Sequence, residues 1–131
     1  MNFNENQSIY LQITEFVKEQ ILLNKWQKEE KIPSVRDLAA ELQVNPNTVM
    51  RAYDFLQQQG VIYNIRGIGN HVSSDAGEKI LEARKEKFLK SDLPVIFSNM
   101  LLLDIGLDEL EHHYKSFVKK IVSNKKEHEK K

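Results

Sequence analysis

Apolar residues recur three or four positions apart almost from the start of the chain. Ile9, Ile13, Phe16, Val17 and Ile21 stripe one face of the segment Ser8 to about Asn24, which predicts an amphipathic helix with Ser8 as its cap. Asn24 tolerates the left-handed conformation that closes many helices, and Lys25 to Lys31 reads as a polar loop anchored by Trp26. Ile32-Pro33 demands an extended approach, because proline disfavours a helical residue before it. At Ser34 a start signal follows: the hydroxyl can accept from exposed amides, and Asp37 occupies the position of a reciprocal capping partner. Val35, Leu38, Ala39 and Leu42 make the buried stripe of a short helix ending near Gln43, and Val44 plugs the turn. Asn45-Pro46 restarts a helix at once, with Asn45 as cap and proline at the first helical position, where its missing amide costs nothing. This second helix runs to about Gln59 and stops at Gly60. Its inward stripe of Val49, Ala52, Tyr53 and Leu56 leaves Asn47, Thr48 and Arg51 wholly or partly off the buried face.

Beyond Gly60 the period shortens to that of a strand. Val61-Ile62-Tyr63, a turn over Ile65-Arg66-Gly67-Ile68-Gly69, and a return through His71-Val72 predict a small hairpin. From Asp75 to Leu89 the pattern is helical again, with Ile80, Leu81, Arg84 and Phe88 in register. Ser91-Asp92 before Pro94 predicts a break and restart, Gly106 an end, and Asp108 with Glu111 the cap of a last helix striped by Leu110, Tyr114, Phe117, Val118 and Ile121. The charged stretch from Ser123 to Lys131 is expected to fray. The expected fold is therefore mainly α with a small β-hairpin. A winged helix-turn-helix domain covers residues 1–75, and a short helical dimerisation domain with a disordered charged end covers 76–131.

Composition narrows the function classes. With 131 residues and no cysteine, the chain has no disulfide framework and no thiolate metal site. No apolar run nears the roughly 20 residues that cross a bilayer, and MNFNENQS lacks the basic start and apolar centre of a signal peptide. A cytoplasmic protein without membrane association is expected. Nineteen bases balance nineteen acids, and Met1 to Asp75 holds seven bases against nine acids. Affinity for nucleic acid must then come from locally placed arginines and helix N-termini rather than from net charge.

Two short helices joined through Gln43-Val44-Asn45, preceded by a longer helix and followed by a hairpin, describe a winged helix-turn-helix. The second helix of such a pair enters the major groove N-terminus first. Its opening turn here offers Asn45, Asn47 and Thr48, side chains that can bond bases or phosphates, while the helix dipole and free amides favour phosphate. Arg36 can reach the backbone or a guanine edge, Arg51 can hold a phosphate one turn on, and Arg66 with Gly67 at the hairpin tip suits a clamp on the minor groove or backbone. Each feature has a plainer reading: Asn45-Pro46 as a helix start, Arg36 and Arg51 as partners of Asp37 and Asp54, the glycines as turn formers. Together, in this order, they are far more specific.

IYLQITEFVKEQI followed by IPSVRDLAAELQVNPNTVMRAYDFLQQQGVIYNIRGIGNHV resembles the DNA-binding domain of the GntR family of bacterial transcription regulators. The VNPNTV…AY…L…G spelling with a short C-terminal extension is similar to its YtrA-like branch. The resemblance is close over Ile9 to Val72 and loose in the tail. It implies a repressor that binds a palindromic operator as a homodimer and, in that branch, often controls a neighbouring transporter operon. Carried onto matching positions, it implies that Ser34 and Arg36 of PSVR, Asn45, Asn47 and Thr48 of VNPNT, Arg51, Arg66 and Gly67 contact double-stranded DNA. Asn24 and Glu29 depart from the pattern, standing where the family usually has glycine, and His71 stands where the wing usually ends in an aromatic. The loop between the first two helices is thus expected to bend differently.

In the tail, Leu93, Ile96, Phe97, Met100, Leu101, Leu103, Leu110, Tyr114, Phe117 and Ile121 exceed what two or three helices can bury among themselves. Burying them between two protomers predicts a homodimer. Leu93, Ile96, Phe97, Met100, Leu101, Leu110, Tyr114 and Phe117 are its candidate interface. A protein-interaction winged helix and a small sensor of apolar ligands are the other two readings. Glu111 with His112-His113, and His128 further on, make a poor metal set because adjacent helical histidines diverge by about 100°. No catalytic grouping, cofactor motif or effector signature stands out, so no enzyme activity is expected, and the effector is left unassigned.

Overall fold

The computed structural model describes residue 3 and residues 7–129. Two compact units divide the chain, Met1–Lys85 and Glu86–Lys131. In the first, α1 (Ile9–Leu22) buries Ile13, Val17 and Ile21, whereas Ile9, assigned to the same stripe, stays exposed. Ser8 occupies the cap position without a side-chain capping bond. Phe16 meets Trp26 edge to face with centroids 6.1 Å apart, which fastens the following loop to α1. α2 (Val35–Leu42) begins as expected, with Ser34 Oγ accepting the Asp37 amide at 3.1 Å. Gln43 ends it in a left-handed conformation at φ 56°, and the Val44 amide turns back to Ala39 O at 3.0 Å.

α3 (Pro46–Gln58) packs Val49, Ala52, Tyr53 and Leu56 into the core formed with α1 and α2. Gly60, at φ 74°, reverses the chain after it. The wing is an antiparallel pair, β1 (Ile62–Ile65) and β2 (Gly69–Val72), in the register Ile62↔Val72, Tyr63↔His71, Asn64↔Asn70 and Ile65↔Gly69. Ile65 and Gly69, expected inside the turn, pair across the hairpin, which leaves Arg66-Gly67-Ile68 as its tip.

The loop before α2 behaves as a third strand at the wing's other edge. Glu29 donates to Val72 O at 2.8 Å, Val72 to Glu30 O at 3.0 Å and Ile32 to Asn70 O at 3.0 Å, with a bridge between Lys31 and His71. Asn24 and Glu29 both adopt positive φ, 59° and 66°. Both positions take the left-handed region that glycine would favour, and from Glu29 to Ile32 the loop is bonded to the wing.

α4 (Ala76–Lys87) buries Ala76 and Ile80. Leu81 is exposed, and Arg84 reaches Glu15 at 3.0 Å and Glu19 at 3.2 Å rather than a core. The expected break at Ser91-Asp92 does not occur. Phe88–Asp92 forms a π turn in which the Leu93 amide donates five residues back, to Phe88 O, and α5 (Leu93–Leu103) follows with Pro94 in its first turn. The wider turn gives the pyrrolidine ring room without ending the helix.

Asp104, not Gly106, closes α5, with φ 56°, and the Ile105 amide returns to Met100 O at 2.9 Å. α6 (Leu107–Glu129) starts immediately, so Asp108 lies inside its first turn rather than at its cap. The segment expected to fray from Ser123 is helical to Glu129, consistent with the high helix propensity of its lysines and glutamates; Lys130 and Lys131 lie outside the described residues. Among the described residues no helix is long and apolar enough to cross a membrane.

Candidate nucleic-acid interface

The opening of α3 is built by Asn45 and Pro46. Asn45 Oδ1 accepts the Asn47 amide at 2.8 Å, and the amides of Thr48 and Val49 turn to Asn45 O at 3.0 and 3.3 Å. Pro46 has no amide. The free amides expected here are consequently all engaged. The tip instead presents side chains: the Asn45 Nδ2 group, the exposed Asn47 and the half-buried Thr48, with no carboxylate between Gln43 and Met50. At α2, by contrast, the Ser34 hydroxyl caps Asp37 and Leu38 donates to Ser34 O at 2.9 Å, leaving the amides of Val35 and Arg36 without a partner among the described residues. The open donors expected at α3 thus lie beside Arg36 instead, in a first turn that also carries Asp37.

Arg36 and Arg66 are exposed and have no acidic partner among the described residues. Arg51 is exposed as well, yet it is not solitary: its guanidinium carbon lies 3.8 Å from the centroid of the Tyr10 ring. Neither Asp37 nor Asp54 pairs with these arginines, so the plain ion-pair reading fails for both. Gly67 takes φ 80° at the wing tip with open space around a notional Cβ, so glycine is needed there for conformation rather than for close packing. Ile68, more than half exposed beside it, and Met50 on α3 add apolar groups that the helical and strand patterns gave no reason to single out.

Three contacts fix the wing, one to α3, one to the loop before α2 and one within the hairpin. Gln57 Nε2 donates to Asn70 Oδ1 at 2.8 Å, joining α3 to β2. Tyr63 donates its hydroxyl to Glu29 Oε2 at 2.8 Å, which holds the phenol above its ordinary range because the carboxylate stabilises the protonated form. His71 fills the place of the usual aromatic. Its ring is buried and stacks on Tyr63 at 5.4 Å, and Nδ1 lies 3.0 Å from Gly69 O. Beneath α3, the buried Tyr53 hydroxyl donates to Pro33 O at 2.7 Å and ties the helix to the segment entering α2. Burial, with Glu41 and Asp37 adding to it, pushes this phenol well above its usual value.

The second unit is apolar and open. Of the residues assigned to dimerisation, Met100 is buried, Leu93 and Leu110 are half-buried, and Ile96, Phe97, Leu101, Tyr114 and Phe117 are exposed, Leu101 at 85%. Phe88, Leu93, Ile96, Leu110, Tyr114 and Phe117 line a groove of about 840 Å³ between α5 and α6. Among the described residues no group of three acids or histidines could hold a metal.

The family described as bacterial regulatory proteins, gntR family, matches residues 9–72. The transcriptional repressor YtrA of Bacillus subtilis is 32% identical over 90% of both chains. In three dimensions the chain is similar to a GntR-family transcriptional regulator from Bacteroides thetaiotaomicron, with a TM-score of 0.79 and 44% identity over 86% of this chain and 98% of that one. It is also similar to the DNA-binding domain of AraR, whose structure holds an operator. That match has a TM-score of 0.51 and 26% identity over 56% of this chain and 88% of the domain.

Proposed function

The chain belongs to the gntR family of bacterial regulatory proteins, and from that premise we propose that it is a cytoplasmic repressor that binds a palindromic operator as a homodimer, controlling a transporter operon. α3 enters the major groove with Asn47 and Thr48 toward base edges and Asn45 beside them. Ser34, the open amides at α2 and Arg36 take the flanking phosphates, Arg51 takes another, and Arg66 with Gly67 closes the wing on the neighbouring backbone. The observation that carries the reading is the exposed, acid-free first turn of α3, together with arginines that have no acidic partner among the described residues. Operator binding by AraR supports it, as does repression by YtrA.

The tail supplies the second half-site. Side chains as exposed as Leu101, Tyr114 and Phe117 are costly in water at about 25 cal/mol per Å², and a partner protomer removes them. Selection of bound fragments from random duplex DNA tests the whole reading. An enriched inverted repeat, bound with an affinity that falls steeply as salt rises, is expected. An unenriched pool, or a salt-independent affinity, overturns it in favour of a protein-binding module.

A further inference from the structure

We propose that Tyr10 is a positioning residue for Arg51, a platform that fixes the guanidinium for phosphate before DNA arrives. The inference rests on the reading of Arg51 as a phosphate contact. Arg51 sits on α3 one turn beyond Asn47, and its guanidinium carbon is 3.8 Å from the Tyr10 centroid, well inside the range of a cation–π contact. Stacking occupies a face of the planar group and leaves its N–H donors pointing outward in the plane, the arrangement that grips a phosphate with two bonds.

The platform is itself braced. Phe55, one turn beyond Arg51, meets the Tyr10 ring edge to face at 6.4 Å and 80°, and Tyr10 O accepts the Thr14 hydroxyl at 2.8 Å in the first turn of α1. An exposed arginine normally samples many rotamers and loses that freedom on binding. Here the guanidinium already lies over the ring, and among the described residues no acid competes for it: Asp54, three residues on, forms no pair with it.

The test compares Tyr10→Phe, Tyr10→Leu, Arg51→Ala and the Tyr10→Leu/Arg51→Ala double variant on a mixed-sequence duplex across rising potassium chloride, alongside the NMR shifts of the Arg51 side chain. In the wild type and Tyr10→Phe, the Arg51 side-chain protons are expected upfield from the ring current, and the two bind equally. Tyr10→Leu loses that shift and about two- to five-fold in affinity, the worth of an exposed cation–π contact. Arg51→Ala weakens binding and flattens the salt slope by about one, and adding Tyr10→Leu to it changes nothing further. Loss of affinity in Tyr10→Phe, or an equal loss from Tyr10→Leu in both backgrounds, would mean that Tyr10 acts directly or structurally and overturns the inference. So would unshifted Arg51 protons in the wild type, a result that holds even where Tyr10→Leu fails to fold. If Arg51→Ala weakens binding and Tyr10→Leu does not, only the platform falls; if Arg51→Ala binds like the wild type, the phosphate assignment falls with it.

Discussion

Asn45 closes its own helix with one end of its carboxamide and leaves the other end free. The oxygen is held by the Asn47 amide at 2.8 Å, so Nδ2 is the end left to donate to a base or phosphate, and replacing Asn45 removes a cap and a donor at once. Asn45→Ala is expected to cost about 1 kcal/mol of stability, the ordinary worth of a cap, as well as affinity. A chemical-denaturation midpoint that does not move would contradict the cap. Asn47→Ala disturbs no such bond and is expected to alter the preferred operator sequence while leaving stability within about 0.5 kcal/mol; an unchanged preference in a repeated selection would remove Asn47 from the readout.

Tyr53 gives a pH prediction at the same scale. Its phenol holds its proton more tightly folded than unfolded, so its contribution is complete below about pH 10, the ordinary tyrosine value, and is lost as pH rises through the higher folded value. Between these two values stability should fall by about 1.4 kcal/mol per pH unit on this group's account. Tyr53→Phe should flatten alkaline denaturation by that amount. At neutral pH it should cost about 1–2 kcal/mol, because Pro33 O is left unpaired.

At the scale of elements, what was legible depended on how local the signal is. The start of α2 at Ser34, the cap and proline of α3, and the buried stripe of Val49, Ala52, Tyr53 and Leu56 are written within a few residues of one another, and the structure has them as expected. The pairing of Glu29 to Ile32 with β2 joins residues some forty positions apart, and no local pattern announces it. That pairing explains why Glu29 can stand where glycine is usual: the wing fixes it from outside, through the Tyr63–Glu29 bond and the Val72 carbonyl, whereas Asn24 closes α1 locally, its amide returning to Ile21 O. Glu29→Gly would relieve the left-handed strain but lose the grip on Tyr63. The wing of that variant should exchange its amide hydrogens faster even if the melting temperature holds, and unchanged exchange at Tyr63 and Val72 would refute the latch. The π turn at Phe88–Asp92 was hidden for the opposite reason: proline and polar residues mark both breaks and bulges, and only the Leu93 to Phe88 bond distinguishes them. Engagement of the first α3 amides is not legible from the cap alone: the Asn45 side chain takes only the Asn47 amide, and the rest follows from the backbone bonds to Asn45 O and from proline at position 46.

At the scale of the whole molecule, the proposed palindromic operator calls for two copies, and the exposed apolar tail is the proposed means of pairing them. Tyr114 and Phe117 are exposed at 66% and 62%, so a charge placed there should do little to a lone protomer and much to a pair. Phe117→Glu is expected to yield a helical monomer with unchanged far-UV circular dichroism and sharply reduced operator affinity. A dimer of wild-type strength in that variant would move the interface elsewhere. The balanced total charge, which argues against a nucleic-acid binder when taken alone, is compatible with this arrangement because the acid-free tip and arginines without an acidic partner among the described residues act over distances within the screening length.

The most direct measurement is the mass, by sedimentation velocity, of the free protein and of its complex with a duplex recovered by selection. Free protein at twice the 15.3 kDa chain mass, and two chains on each inverted repeat, are predicted. A protein that stays monomeric at micromolar concentration and adds a single chain to that duplex, or none, would contradict the account.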